Sequence, residues 1–182
     1  MINRLITVNA MITLNVPEGK NISQKKYEEI IDALDFHRLR CPCCAQAGCL
    51  KRHGYYTRRV KVGGQWVKLR ILRVKCTHCG KTHALLPSYI VPYTQVRLEE
   101  QAEIIRQWEG EKNYESVMAG NVLIDLSDIR VVIRRYRRYW KERLASAGLS
   151  IAMALEGLVK GCFQHYARQV LQIRVTPNGL FS

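Results

Sequence analysis

Two short cysteine motifs, Cys41-Pro-Cys-Cys44 and Cys76-Thr-His-Cys79, lie 31 residues apart and decide how this chain folds. Each contains a Cys-x-x-Cys spacing, and a turn of that spacing directs two sulfur atoms at one centre. Two such turns supply the four thiolates of a tetrahedral zinc site, with zinc–sulfur distances of about 2.3 Å. The spacing therefore predicts Zn2+ as cofactor and four ligands: Cys41, Cys44, Cys76 and Cys79.

The remaining cysteines leave the ligand set partly open. Cys43 lies inside the first motif and Cys49 lies five residues beyond it, so either can replace a predicted ligand. Cys162 is expected in a hydrophobic core. An odd total of seven cysteines argues against a disulfide framework. Two other interpretations stay open: thiols buried in a core, and a redox dithiol, which normally begins a helix in a βαβ unit that is not visible here.

Three histidines near the motifs are spare candidate ligands. An ordinary surface or hydrogen-bonding role is the stronger expectation for each of them: His53, His78 and His83. Tyrosines beside the basic segment are expected either to stack on bases or to pack over the sheet: Tyr55 and Tyr56.

The segment between the motifs alternates apolar and basic residues on both sides of Gly63-Gly64. This pattern predicts a β-hairpin with one apolar and one basic face. A hairpin between two cysteine turns is the arrangement of a zinc ribbon. Such a unit is too small to be stable by apolar burial alone, so the metal is expected to hold it together.

The formal net charge of +14 is concentrated in two blocks. Residues 51–75 hold nine basic and no acidic side chains, and residues 130–143 hold seven basic and one acidic. Concentrated basic charge predicts a polyanion partner, most simply duplex DNA; the alternative is a solvated surface without a partner. The predicted contacts are Arg58, Arg59, Lys61, Lys68, Arg70, Arg130, Arg134, Arg137, Arg138 and Lys141.

From Arg97 onward the apolar residues recur at helical spacing. We expect helices over 97–109, ended by Gly110, and over 114–119. A basic helix is predicted over 127–143, with Ser127 or Asp128 as its N-cap. Its apolar face contains Ile129, Val132, Ile133, Tyr136 and Trp140, and another face contains Arg130, Arg134, Arg137 and Lys141. This order predicts a helix-turn-helix with the basic helix in the major groove; the alternative is an amphipathic helix with a solvated basic face.

The patterns together predict an α+β protein in four segments. A short strand over 11–16 and a helix over 24–34 occupy segment 1–37, and the zinc ribbon occupies 38–92. The helix-turn-helix-like region occupies 93–148, and a packing helix over 150–170 lies in segment 149–182. No stretch approaches the roughly 20 apolar residues of a spanning helix, and the N-terminal segment lacks the apolar core of a signal peptide. A cytoplasmic location is therefore expected.

Several stretches resemble a known group of proteins: residues 41–44, 53–58, 69–76, 79–87 and 92–93. They look like the N-terminal zinc-ribbon region of insertion-sequence transposases and, more closely, an uncharacterised family of bacterial zinc-ribbon proteins. The resemblance covers residues 38–95 and continues loosely through residues 136–140. In those transposases a helix-turn-helix and a nuclease domain follow, and the ribbon and helix-turn-helix bind the ends of the element. The resemblance implies the same four zinc ligands and DNA as the partner.

The acidic residues depart from the transposase pattern. Strand-transfer transposases use three carboxylates to hold two metal ions for in-line phosphoryl transfer. The 39 residues after Arg143 contain one acidic side chain, Glu156. We therefore expect no catalytic residue and no enzymatic activity, but a DNA-binding role as an end-binding accessory, a remnant or a derived regulator.

Other functions stay open at this stage. One is RNA binding, with Tyr55, Tyr56 and Trp66 stacking on bases. Another is a subunit of a metal-dependent nuclease or transposase, which would need acidic residues such as Glu99, Glu103 and Asp128 to converge. A protein-only interaction module is the third. The expected protein partner is a second copy of the chain or a separate transposase subunit.

Overall fold

The computed structural model describes residues 11–14, 23–62, 65–121, 123–166, 175–176 and 179–180. Its strands and helices confirm the predicted α+β class. The chain divides into two compact units. Unit 1 comprises Met1–Asn15, Asn21–Arg59 and Lys68–Pro87; unit 2 comprises Val16–Lys20, Val60–Val67 and Ser88–Ser182. The division into four segments stays a prediction.

A four-stranded mixed sheet is the framework of unit 1. Its strands lie in the order β1-β4-β3-β2, with β1 parallel to β4 and β4 antiparallel to β3. Their bounds are β1 Ile12–Leu14, β2 Leu50–Val62, β3 Gln65–Cys76 and β4 Thr82–Pro87. The predicted hairpin is thus confirmed as β2 and β3, although its turn at Gly63-Gly64 and the predicted strand end at Asn15-Val16 lie outside the described residues. Strand β4 was not predicted.

Helix α1 (Gln24–Asp32) covers this sheet through a pair of residues one turn apart. Ser23 is the N-cap, and its hydroxyl accepts a hydrogen bond from the Lys26 amide at 3.2 Å. Tyr27 and Ile31 are buried because residues four apart share one helix face. The helix ends two residues before the predicted position, with Ala33 as its C-cap.

The buried hydroxyl of Tyr27 joins α1 to two strands. It donates to the Leu85 carbonyl of β4 at 3.0 Å and accepts from the Leu72 amide of β3 at 2.9 Å. Both backbone groups lie at residues with no solvent exposure. Removal of the hydroxyl would leave two buried backbone groups unsatisfied, at a cost of about 1–3 kcal/mol each.

We therefore predict that Tyr27→Phe lowers the free energy of unfolding by about 2–6 kcal/mol. Urea denaturation of the metal-loaded protein measures the change. Tyr55→Phe is the matched control, since the Tyr55 side chain lies on the exposed surface of the same sheet. Equal effects of the two substitutions would contradict the role assigned to the Tyr27 hydroxyl.

Unit 2 is built on a helical core. Its helices are α2 (Leu98–Glu111), α3 (Tyr114–Gly120), α4 (Leu126–Arg135), α5 (Lys141–Ser146) and α6 (Leu155–Tyr166), with a π-helical segment (Tyr136–Trp140) between α4 and α5. Helices α2, α3 and α4 pack against one another in pairs. A two-stranded sheet pairs β5 (Val175–Thr176) with β6 (Gly179–Leu180).

The apolar face predicted for the basic helix is confirmed as part of this core. Its five residues are all buried: Ile129, Val132, Ile133, Tyr136 and Trp140. They pack in one cluster with apolar residues of α2, including Ile104 and Ile105, and with Cys162 of α6. Cys162 is thus a core residue, as predicted.

The predicted end of α2 and the predicted start of the C-terminal helix were wrong. Helix α2 does not stop at Gly110 but continues to Glu111, and Lys112 ends it in the left-handed conformation at φ 56°. A glycine inside a helix costs only about 1 kcal/mol, and the chain is redirected instead by Asn113, whose side chain caps α3. The C-terminal helix begins at Leu155 rather than at residue 150, and residues 167–170 of that prediction lie outside the described residues.

The N-cap of α4 is Asp125, not Ser127 or Asp128. Asp125 has the extended backbone that an N-cap needs, yet its carboxylate makes no capping hydrogen bond. The carboxylate instead accepts a hydrogen bond from the Lys61 ammonium at 3.0 Å. Lys61 lies 64 positions earlier in the sequence. The local sequence gives no sign of so distant a partner.

Candidate metal centre and basic surfaces

The two cysteine turns are built on the same pattern of backbone hydrogen bonds. In the first, the Cys41 amide donates to the Gln46 carbonyl at 2.9 Å and the Cys41 carbonyl accepts from the Ala45 amide at 2.8 Å. In the second, the Cys76 amide donates to the Lys81 carbonyl at 2.8 Å and its carbonyl accepts from the Gly80 amide at 3.0 Å. The two turns therefore hold their cysteine pairs in similar backbone positions.

Both turns place their fifth residue in the left-handed region of backbone space. Gly80 has φ 72°, which glycine adopts without steric cost, whereas Ala45 has φ 60°. Each turn also directs an amide at a cysteine sulfur: Cys43 donates to Cys41 Sγ and Cys79 donates to Cys76 Sγ, both at 3.4 Å. An amide N–H that donates to sulfur stabilises the thiolate form of the cysteine.

The four cysteines predicted as ligands come together in unit 1. All their sulfur atoms lie within 4.8 Å of one another. Cys41 Sγ lies 3.6 Å from Cys79 Sγ, and Cys44 Sγ lies 3.7 Å from Cys76 Sγ. A tetrahedron with metal–sulfur bonds of about 2.3 Å has edges of about 3.8 Å, so these two distances fit a metal ion at the centre. The cluster can therefore bind a metal ion.

The two other cysteines near the cluster lie beside different ligands. Cys49 Sγ is 3.2 Å from Cys76 Sγ and donates to the Gln46 carbonyl at 3.0 Å, but it is not among the four mutually close sulfurs. Cys43 belongs to a second group that can hold a metal, with Cys41 and His83. Both groups therefore share Cys41.

The two contacting thiols of Cys49 and Cys76 differ in acidity. Burial is the main cause that raises the pKa of Cys49 to about 12, and its contact with Cys76 adds to the effect. Burial opposes ionisation of Cys76 as well, but hydrogen bonds with the Cys79 amide and the Cys49 thiol outweigh it and lower the pKa of Cys76 to about 6. The predicted ligand Cys76 is therefore the one that favours the thiolate, which is the form that binds metals.

The three histidines occupy different environments. His83 lies on β4, is 2% exposed, and has its Nε2 atom 3.3 Å from Cys41 Sγ. His53 and His78 are exposed. A surface or hydrogen-bonding role was expected for His83, and its burial excludes the surface role. Its place beside a predicted ligand was missed, because that place depends on strand β4.

The basic residues of unit 1 lie mostly on the exposed surface of the hairpin. Arg59, Lys68 and Arg70 are exposed, whereas Arg58 is half-buried. The Arg70 guanidinium lies 4.9 Å from the centre of the Tyr55 ring, and 44% of Tyr55 is exposed. This stacked pair combines a cation with an aromatic face at the surface.

Lys61 is engaged within unit 2. Its ammonium pairs with Asp125 at 3.0 Å and lies 5.2 Å from the centre of the Trp66 ring, and only 13% of its side chain is exposed. The predicted role of Lys61 in nucleic-acid contact therefore competes with contacts inside the protein. Trp66 itself is half exposed.

Helix α4 and the π-helical segment carry four exposed arginines: Arg130, Arg134, Arg137 and Arg138. The π-helical segment adds a residue to one turn, so Lys141 no longer follows the spacing that aligned it with the arginines. Its ammonium instead lies 3.0 and 3.1 Å from the two Glu109 carboxylate oxygens. Burial raises the pKa of Glu109, but Lys112 and Lys141 outweigh burial and lower it.

The sequence patterns missed Arg135, which lies between two exposed arginines. It is half-buried and donates to the Pro92 carbonyl at 3.2 Å, and burial lowers the pKa of its guanidinium. Alternating exposure within a run of arginines follows from helix geometry and from the π-helical segment, so composition alone cannot separate these residues.

Two of the three acidic residues considered for a nuclease site are paired with arginines. Glu99 pairs with Arg97 at 3.4 Å, and Glu103 pairs with Arg106. Within the described part of the chain, the groups that can hold a metal consist of cysteine and histidine alone.

Comparison with known proteins finds a similarity over the part of the chain that contains the cysteine cluster. Residues 41–124 match the family described as a domain of unknown function, DUF6431. The match begins at the first cysteine of the cluster and extends through α2 and α3. No curated protein and no solved structure matches the chain. Among the described residues, no helix has both the length and the apolar character needed to cross a membrane.

Proposed function

We propose that the chain is a zinc-stabilised, non-catalytic DNA-binding protein related to transposases. The proposal of zinc rests on the cluster of Cys41, Cys44, Cys76 and Cys79, in which two sulfur–sulfur distances, 3.6 and 3.7 Å, match the edges of a tetrahedron around a metal ion. Four thiolates from two turns form the donor set of structural zinc sites, which leave no open position for a substrate. The metal would hold the two cysteine turns together at the end of the sheet.

The DNA half rests on the exposed arginines of α4 and the π-helical segment. Their helix packs its opposite face into the core of unit 2, so its basic face is presented outward by a rigid element. Helices α2, α3 and α4 pack together with a turn between α3 and α4, which suits a helix-turn-helix with α4 as the recognition helix. The basic hairpin surface of unit 1 is a further region that suits phosphate binding.

The direct test is a titration of duplex DNA at several salt concentrations. Binding through six or more phosphates releases counterions, so the logarithm of the affinity should fall with the logarithm of salt with a slope of about −5 or steeper. Fluorescence anisotropy of a labelled duplex measures this slope for the zinc-loaded protein. A flat salt response, or no binding at 50 mM salt, would refute the DNA half of the proposal.

RNA binding is the second candidate, and one contact favours it. The exposed Tyr55 ring with Arg70 stacked against it is a surface on which an unpaired base can stack. Competition between duplex DNA and structured RNA of equal phosphate number distinguishes the candidates. Stronger displacement by RNA, reduced by Tyr55→Ala, would favour this alternative over DNA.

A further inference from the structure

We propose that His83 is a positioning residue of the metal centre: its Nε2–H donates a hydrogen bond to the Cys41 thiolate and holds that sulfur in place as a ligand. The inference rests on the metal-binding half of the proposed function and does not depend on nucleic acid. His83 lies outside the group of four mutually close cysteines. Its proposed effect on the metal is therefore exerted through one of these ligands, Cys41.

The sheet explains why His83 reaches the metal centre. His83 of β4 lies directly opposite Val74 of β3. Val74 and the ligand Cys76 are two residues apart and both are fully buried, so they share one face of β3. Residues opposite each other on paired strands share a face, which places His83 on the buried face that leads to Cys76.

The contact has the geometry and burial of a specific interaction. His83 Nε2 lies 3.3 Å from Cys41 Sγ, and the two residues are 2% and 1% exposed. A polar ring is buried at little cost when it is hydrogen-bonded. The sequence separation of 42 residues means that only the assembled sheet and the first cysteine turn bring the pair together.

The negative charge of a four-thiolate site explains why a hydrogen bond from His83 would stabilise it. Four thiolates around Zn2+ carry a net charge of −2, and hydrogen bonds to sulfur disperse that charge. Cys41 accepts one such bond from the Cys43 amide at 3.4 Å, and His83 supplies a second from a side chain. In neutral imidazole a single ring nitrogen carries the proton, so donation from Nε2 leaves Nδ1 as the acceptor. Removing such a partner typically lowers metal affinity by about 10–100-fold.

A different role for the same atoms must be separated from this one. Cys41, Cys43 and His83 lie within 4.8 Å of one another, so Nε2 can also be a ligand of a second ion that shares Cys41. A ligand nitrogen has no proton to donate to the thiolate, so the two roles exclude each other. They differ in stoichiometry: one ion per chain when His83 positions Cys41, and two when it is a ligand.

The test compares His83→Gln with His83→Leu in the full-length protein. The glutamine amide nitrogen falls near the place of imidazole Nε2 and keeps a donor, whereas leucine fills the space without one. His53→Leu, at an exposed position of β2, is the matched control. Zinc affinity is measured by competition with a chromophoric chelator, metal stoichiometry by native mass spectrometry, and the thiolate-to-metal charge-transfer band on the Co2+-loaded protein.

We expect His83→Leu to bind one zinc ion about 10–100-fold more weakly and to shift the Co2+ charge-transfer band to longer wavelength, since an unbonded thiolate gives up charge more easily. His83→Gln should restore most of both properties, and His53→Leu should match the unsubstituted protein. A purely structural role would not produce the band shift or its rescue.

Several results would overturn the inference. Unchanged affinity and spectrum in His83→Leu would do so, as would equal loss in the leucine and glutamine variants with an unshifted band. A stoichiometry of two that falls to one in both variants would assign His83 as a ligand instead. If the unsubstituted protein does not bind zinc tightly, the proposed zinc site is refuted. If it does bind zinc tightly, the His83 variants alone decide the role of His83.

Discussion

Cys79→Ser is expected to abolish tight zinc binding and to unfold the cysteine turns of unit 1. Cys79 Sγ lies 3.6 Å from Cys41 Sγ and completes the cluster. We choose this ligand because the additional cysteines lie beside other ligands, Cys43 beside Cys41 and Cys49 beside Cys76. Structural zinc contributes an apparent binding free energy of about 10–16 kcal/mol that is available for folding, so loss of one of four ligands removes a large part of the stability of this unit.

Thermal unfolding and zinc content measure the effect together. A loss of about 5 kcal/mol in the free energy of unfolding lowers the Tm of a unit of this size by about 20 °C or more. Unit 1 of the Cys79→Ser protein should therefore unfold at a much lower temperature or show no cooperative transition. Strong chelation of the unsubstituted protein should produce the same loss. Cys43→Ser is the matched control and should retain tight zinc binding. Wild-type zinc affinity and Tm in Cys79→Ser would contradict the proposed metal site.

The cysteine cluster could be predicted because each half of it is encoded locally. The backbone hydrogen bonds that shape the first turn join Cys41 to Ala45 and Gln46, and those of the second join Cys76 to Gly80 and Lys81. Spacing within a few residues therefore carries the information. The hairpin was predictable for a similar reason, since alternation along each strand reports which side of the sheet a residue faces.

Features that depend on distant pairing could not be predicted. Strand β4 has too few residues for a clear alternation, and its pairing with both β1 and β3 is a property of the whole sheet. The place of His83 beside Cys41 follows from that pairing. For the same reason the sequence could not show that Asp125 engages Lys61 across 64 positions.

The arginine face illustrates a limit of periodicity itself. A constant helical spacing correctly identified the buried residues from Ile129 to Trp140. It also aligned Lys141 with the arginines, because it assumed an uninterrupted α-helix. The π-helical segment changes the spacing, and the Lys141 ammonium pairs with Glu109 of α2. Local sequence does not reveal such an insertion, so Arg130, Arg134 and Arg137 remain the sharper choice for a test.

Substitution of Arg130, Arg134 and Arg137 by glutamine is expected to weaken duplex DNA binding by about 500-fold at 0.1 M salt. Each phosphate contact contributes about 0.9 to the slope of log affinity against log salt. Three lost contacts therefore make the slope shallower by about 2.7. If the two proteins bind equally at 1 M salt, a tenfold lower salt concentration separates their affinities by about 10 to the power 2.7, or about 500-fold. The side chains are exposed, so the fold of unit 2 should persist and its circular dichroism should be unchanged.

The matched control removes the same charge from other exposed positions. Lys25, Lys26 and Lys160 are exposed and lie outside both basic blocks, so their replacement by glutamine lowers the net charge equally. If DNA binds at the arginine face, the control triple variant should retain a slope within about one unit of the original, because it loses no phosphate contact. Equal weakening by both triple variants would show that net charge alone attracts DNA, and would remove α4 as the recognition helix. If DNA binds at α4, only the arginine variant should lose DNA affinity. Attraction by net charge alone would weaken both variants equally, because both lose the same charge.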